Sequence, residues 1–90
     1  MSSLCMQVKI SGKVQGVGFR QAAVRQAAQL SVDGWVRNED DGTVSALVCG
    51  EVDAVEAMLA WLGKGPSGAE VGGLAASTCA WQDIAGFVQF

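Results

Sequence analysis

Apolar residues alternate with polar ones in the first segment of the chain and in two later segments. Between residues 4 and 11, one face of an extended strand collects the apolar side chains Leu4, Met6, Val8 and Ile10. This period of two predicts a half-buried strand. The same pattern predicts a second strand over residues 32–38 and a third over residues 43–49, joined by a turn at 39–42 that ends in a glycine. The second and third strands should form a hairpin.

Two other segments repeat apolar residues with a helical period. The segment 20–30 contains no Gly or Pro, and its narrow apolar face consists of Ala23, Val24, Ala27 and Ala28. The segment 52–62 has a stronger apolar stripe, formed by Val52, Val55, Met58, Leu59 and Leu62. Glycines and Pro66 follow this second helix and end it. A fourth strand is predicted near residues 69–78, and a short fifth strand over residues 86–90.

The order of these elements predicts the fold. Right-handed crossovers place the third strand between the first two, because parallel strands are joined in that hand. The predicted fold class is α+β: a ferredoxin-like βαββαβ sandwich, with an antiparallel four- to five-stranded sheet and two helices on one face. Ninety residues predict one domain over 1–90. Many functions share this fold, so the fold alone does not identify the function.

A glycine-rich loop joins the first strand to the first helix, with glycines at positions 12, 16 and 18. Its backbone N–H groups are predicted to bind an anion, and they belong to Gln15, Gly16, Val17, Gly18, Phe19 and Arg20. Arg20 would repel the positive end of the helix dipole unless an anion lies between them. The loop is neither a Walker motif nor a dinucleotide-binding motif. The alternative is a tight connection that leaves Arg20 in solvent.

A second motif, residues 34–38, ends the second strand at Asn38. The first two strands run parallel, so their carboxyl ends meet at the same edge of the sheet. Asn38 is therefore predicted to lie beside the glycine-rich loop, where a carboxamide could orient a water molecule. The alternative is that Asn38 only terminates the strand, as asparagine often does.

Composition excludes several classes of function. The net charge is −3 with only six Lys and Arg residues, which argues against a nucleic-acid partner. The chain has no histidine, and its three cysteines lie far apart, so no common metal or redox motif is present. The apolar runs are too short to span a membrane and the N-terminus does not resemble a signal peptide, so we expect no membrane partner and a cytoplasmic location.

The two motifs resemble those of a known family, the acylphosphatases, which hydrolyse the carboxyl-phosphate bond of acyl phosphates. The similarity lies in residues 12–20, which read GKVQGVGFR, and in residues 34–38, which read GWVRN. It continues through Gly42, Val44, Gly50, Trp61-Leu62 and Gly65-Pro66, so it covers nearly the whole chain. Lys13 stands where the family more often has arginine.

The resemblance implies a catalytic pair. Arg20 and the backbone of residues 15–20 would hold the phosphoryl group, and Asn38 would position the attacking water. It also implies no metal, no cofactor and no covalent phosphoenzyme, with inorganic phosphate as product. Acetyl phosphate, carbamoyl phosphate and 1,3-bisphosphoglycerate all agree with the resemblance as substrates. We expect a monomer that is a free-standing enzyme, since no second domain follows.

Two other classes of protein share the predicted fold. A non-catalytic anion-binding or regulatory module would need Arg20 but not Asn38. An RNA-binding domain would stack bases on aromatic residues of the first and third strands, and this chain has none on their outward faces.

The predicted sheet also places Cys5 and Cys49 near each other. They lie at adjacent ends of antiparallel neighbours, on the face without helices. A disulfide would form if their Cα atoms come within about 7 Å. The alternative is two free thiols in a reducing cytosol. Cys79 is expected to stay free in both cases.

Overall fold

The computed structural model describes residues 2–90 and contains five strands and two helices. In chain order they are β1 (Ser3–Lys13), α1 (Phe19–Leu30), β2 (Asp33–Asn38), β3 (Val44–Glu51), α2 (Val52–Leu62), β4 (Glu70–Cys79) and β5 (Phe87–Gln89). The predicted sequence of elements is confirmed. Within this part of the chain, neither helix combines the length and apolarity needed to cross a membrane.

The strands form one sheet in the order β4-β1-β3-β2-β5. As predicted, β3 lies between β1 and β2 and is antiparallel to both. The prediction of a wholly antiparallel sheet is wrong at one edge, because β5 runs parallel to β2. The connection after β4 carries the chain across the helix-free face to the opposite edge, where it enters beside β2 in the same direction. The ferredoxin-like fold class is confirmed, with a mixed sheet of five strands.

The core lies between the sheet and the two helices. Its strand residues are Val8, Ile10, Val36, Val44, Ala46 and Val48, and its helix residues include Phe19, Ala23, Ala27, Val55, Met58 and Leu62. Helix α1 presents Phe19 and three alanines to the core, whereas Ala28, predicted on that face, is exposed. Phe19 packs against Trp61 of α2 with ring centroids 5.7 Å apart. Burial of the Phe19 side chain stabilises the fold by about 2 kcal/mol, and its contact with Trp61 fixes the start of α1.

Gly34 shows why β2 carries a glycine inside a strand. It is buried, with φ 141°, and it lies between Val48 of β3 and Phe87 of β5. A Cβ atom built there would overlap the main-chain carbonyl of Leu47. The absence of a side chain therefore lets three strands approach closely at this point.

Hydrogen bonds among its own residues hold the turn between β2 and β3. Glu39 N donates to Thr43 O at 2.9 Å, and Gly42 N donates to Glu39 O at 3.2 Å. The Asp41 carboxylate accepts from the Thr43 hydroxyl at 2.6 Å and from Thr43 N at 3.1 Å, and it lies 3.1 Å from Lys9 Nζ. These donors, led by the Thr43 hydroxyl, lower the pKa of Asp41 from 3.8 to about 2. The hydrogen bond from Arg37 likewise lowers the pKa of Glu39.

Substitution of Gly34 should destabilise the protein far more than substitution of a surface glycine. Gly34→Ala forces a Cβ atom into the Leu47 carbonyl, and we expect a loss of about 3 kcal/mol or more in the free energy of unfolding. Gly42→Ala is the matched control, because Gly42 also has positive φ but no atom lies near its virtual Cβ. It should lose only about 1 kcal/mol. Urea denaturation measures both, and equal losses would contradict the packing argument.

The lowered pKa of Asp41 predicts a pH-dependent contribution to stability. The ionised carboxylate stabilises the fold above its ordinary pKa of 3.8, and this contribution is lost as the pH falls toward about 2. Wild type should therefore exceed Asp41→Asn in unfolding free energy at pH 5, and the difference should shrink steadily below pH 3.8. Urea titrations at several pH values measure it. A difference that stays constant down to pH 2 would show that the charge of Asp41 is not the cause.

Candidate active site

The loop that follows β1 ends in two left-handed residues. Gly16 has φ 72° and Gly18 has φ 75°, and space beyond both is open. Positive φ favours glycine, so these two positions let the chain turn sharply from β1 into α1. The turn brings the first N–H groups of α1 to the loop surface.

Among the described residues, no side chain caps the N-terminus of α1. Gly18 is the N-cap residue and has no side chain with which to form a cap hydrogen bond, and the first turn has no acidic residue. The first helical bond runs from Ala22 N to Gly18 O. The N–H groups of Phe19, Arg20 and Gln21 thus have no acceptor within the helix, and they lie at the positive end of its dipole. Such an end is a ready site for an anion.

A cavity of about 150 Å³ opens at this helix end. It is lined by Val14, Gly16, Gly18, Phe19, Arg20, Gln21, Asn38 and Gln89. The structure therefore brings Asn38 to the same cavity as Arg20 and the loop glycines, as the crossover argument predicted. Two loop residues predicted to bind the anion, Gln15 and Val17, are not in this lining. The side chain of Val17 packs against the core, whereas the prediction concerns its backbone N–H group.

The side chain of Gln15 joins the loop to the turn after β2. Its Nε2 donates to Glu39 O at 2.8 Å and to Thr43 O at 2.9 Å. Glu39 follows Asn38 directly in the chain. Gln15 therefore fixes the distance between the loop that carries Arg20 and the strand end that carries Asn38.

Arg20 is half-buried, and its guanidinium reaches across to the last strand. Its Nη1 donates to the main-chain oxygen of Phe90, whose own N–H donates to Val36 O. The salt bridges of residues 2–90 join Lys9 to Asp41 and Arg37 to Glu39, so no carboxylate side chain neutralises Arg20. Because a guanidinium has five N–H donors, most of them stay available to a ligand.

Sequence reasoning missed two polar residues of the cavity. Gln21 follows Arg20 in the first turn of α1, so its position could have been inferred from the helix start. Gln89 enters the cavity through the parallel pairing of β5 with β2. Nothing in the local pattern of residues 86–90 indicates that pairing.

A larger groove lies on the helix-free face and shares no residue with the loop cavity. Its volume is about 390 Å³, and it includes Lys9, Trp35 and Arg37. Arg37 lies 4.8 Å above the Trp35 ring. Both cations have carboxylate partners, so their charge is already compensated. Among residues 2–90, no group of three His, Cys, Asp or Glu side chains is placed to hold a metal ion.

Comparison with known proteins identifies relatives along nearly the full chain. The family model for acylphosphatase matches residues 6–89. A curated acylphosphatase of Pseudomonas aeruginosa is 48% identical over 88 residues, which cover 98% of this chain and 97% of the relative. One from Bordetella parapertussis is 56% identical over 70 residues, covering 78% and 74%.

Solved structures agree. An acylphosphatase from Coxiella burnetii superposes with a TM-score of 0.94 at 35% identity, covering 98% of this chain and 93% of its own. The acylphosphatase of Bacillus subtilis superposes with a TM-score of 0.93 at 27% identity, covering 97% and 98%. The chain therefore belongs to the acylphosphatase family.

Proposed function

We propose that this protein hydrolyses the carboxyl-phosphate bond of acyl phosphates, releasing a carboxylate and inorganic phosphate. One observation carries the proposal. A single small cavity combines a helix N-terminus without a side-chain cap, an arginine that pairs with no carboxylate side chain of residues 2–90, and an exposed carboxamide. Membership of the acylphosphatase family supports the same activity.

The phosphoryl group binds at the loop. Backbone N–H groups of the loop donate to its oxygens, and of the six predicted donors Gly16, Gly18, Phe19 and Arg20 line the cavity. The Arg20 guanidinium adds charge-assisted hydrogen bonds, which are stronger than neutral ones. These donors are fixed by the fold before substrate arrives, so little reorganisation is needed as charge moves in the transition state.

Asn38 positions the water that attacks phosphorus. Asn38 lines the same cavity as the loop, and its carboxamide holds the water on the side of phosphorus opposite the leaving carboxylate. An acyl phosphate has an activated leaving group, so the reaction needs positioning and charge stabilisation more than a strong base. The substrate itself takes the proton. No histidine is required, and the chain has none.

The competing function is a non-catalytic module that only binds anions in the same cavity. It would use the helix end and Arg20 but be indifferent to Asn38. The two functions are therefore separated by the effect of Asn38 on turnover. A monomeric state and a cytoplasmic location stay predictions of the sequence.

Substitution of Arg20 and Asn38 should remove hydrolysis in different ways. With benzoyl phosphate followed optically, Arg20→Ala and Asn38→Ala should each lower kcat by about 10²-fold or more. Inorganic phosphate should stop inhibiting or binding to Arg20→Ala, whereas its binding to Asn38→Ala should change little. A chelator should not affect wild type.

Two surface variants serve as controls for this experiment. Arg25→Ala removes the same charge from an exposed position of α1, and Gln29→Ala removes an exposed carboxamide from the same helix. Both should keep wild-type rates. An inactive wild type, or full activity in Asn38→Ala, would overturn the proposed mechanism. Phosphate binding with no turnover in wild type would favour the binding module.

Removal of the Gln15 side chain should lower kcat by displacing Asn38. Gln15→Ala removes both bonds to the turn, so we expect kcat to fall about tenfold or more, because small misplacements are costly in near-attack geometry. Phosphate binding should change less than kcat, since the helix end and Arg20 remain. Gln26→Ala on α1 is the control. An unchanged kcat in Gln15→Ala would show that the turn needs no such support.

A further inference from the structure

The three cysteines of the chain lie in one row across the sheet. Cys5 of β1 is the register partner of Cys49 in β3 on one side and of Cys79 in β4 on the other. Cys5 and Cys49 form a disulfide, while Cys79 is a free, half-buried thiol. The sequence predicted the bridge as one of two alternatives and Cys79 as free. It did not predict that Cys79 would adjoin the bridge.

The two pairings of Cys5 are of different kinds. Its Cα lies 4.1 Å from that of Cys49, the short separation of a pair without mutual backbone hydrogen bonds. A strand residue directs its N–H and C=O to the same side, so those of Cys5 point toward β4. The Cys5 and Cys79 Cα atoms are then expected about 5.5 Å apart. That separation lies inside the range that a disulfide spans.

The distance between Cys49 and Cys79 excludes a disulfide between them. Cys49 and Cys79 are two strands apart, or about 9.6 Å at the usual spacing. Disulfides do not bridge Cα atoms farther apart than about 7 Å. Cys5 is therefore the shared partner, and only one of its two neighbours can be bonded to it at a time.

We propose that Cys79 is a thiol–disulfide exchange site for the Cys5–Cys49 bridge. The Cys79 thiolate attacks Cys5 Sγ, forming a Cys79–Cys5 bond as the Cys5–Cys49 bond breaks. The electron pair leaves on the Cys49 sulfur, which takes up the proton that Cys79 gave. The protein holds one disulfide and one thiol before and after, so no oxidant or reductant is needed. The exchange moves the thiol from a half-buried position to a fully buried one.

The surroundings of the row favour this reaction. Displacement at sulfur needs the entering and leaving sulfurs on opposite sides of the central one, and the strand order places Cys79 and Cys49 on opposite sides of Cys5. The row is also partly covered. Gln82 N donates to Cys5 Sγ at 3.5 Å, and Ile84 packs against the cluster of Cys5, Leu47 and Cys49. The N–H group withdraws electron density from the sulfur under attack, and the packing keeps Cys79 against the bridge.

Exchange in the native chain can be measured directly. The non-reduced protein is incubated at about pH 8.5 and, in parallel, at about pH 5, without added thiol or oxidant. Samples are denatured in acid, labelled with N-ethylmaleimide and mapped by peptide mass spectrometry. Because the thiolate is the attacking species, we expect label on Cys49 and a Cys5–Cys79 peptide to appear at the higher pH only. About a tenth or more of the chains should exchange within minutes to hours.

Intramolecular exchange should keep the same half-time after tenfold dilution. Label that stays solely on Cys79 after a day at the higher pH would overturn the proposal. So would a half-time that lengthens tenfold on dilution, since that shows exchange between chains.

Two variants test the geometry independently of the rate. Cys49→Ser oxidised with glutathione disulfide should form an intramolecular Cys5–Cys79 bridge. Cys5→Ser, the matched control, should form no Cys49–Cys79 bridge under the same treatment. A folded Cys49→Ser that carries only thiols or glutathione adducts on Cys5 and Cys79 would contradict the pairing.

Discussion

The pairing of β3 with both β1 and β2 is the constraint on which the rest of this structure depends. Because β3 is antiparallel to each of them, β1 and β2 run parallel and end at the same edge of the sheet. The glycine-rich loop follows one strand and Asn38 ends the other. With β3 between the two strands, the motifs are held one strand apart at that edge. The position of the site is therefore set by the strand order and not by any one side chain.

Individual side-chain contacts then fix the positions of the elements that surround the site. Phe19, buried against Trp61, fixes where α1 begins and so where its free N–H groups lie. The Gln15 side chain ties the loop to the turn, and the bonds of Asp41 and Thr43 hold the turn itself. Each of these contacts lies outside the cavity lining except Phe19. These contacts fix the backbone positions of the elements around the cavity.

The sequence predicted more of the fold than of the site's details, for physical reasons. Alternation along β1 and β3 and the stripe of α2 are strong, local signals, and the crossover rule turned them into a strand order. The place of β5 could not be found in this way, since its three residues carry no period and their partner lies some fifty residues away. Gln89 and the Phe90 oxygen were missed with it. Gln15 was assigned only a backbone role, because no local pattern shows where a side chain points in a loop.

The missing side-chain cap at the N-terminus of α1 affects the stability of the folded protein. Most helices complete their first turn with a capping side chain, which stabilises them by about 1 kcal/mol. Here that position is Gly18, so the folded protein leaves its own helix end incomplete. An anion that accepts those N–H groups supplies the missing cap from solution and binds only the folded chain. Under the proposed function, the stability of this protein rises with the logarithm of the ligand concentration once the site fills.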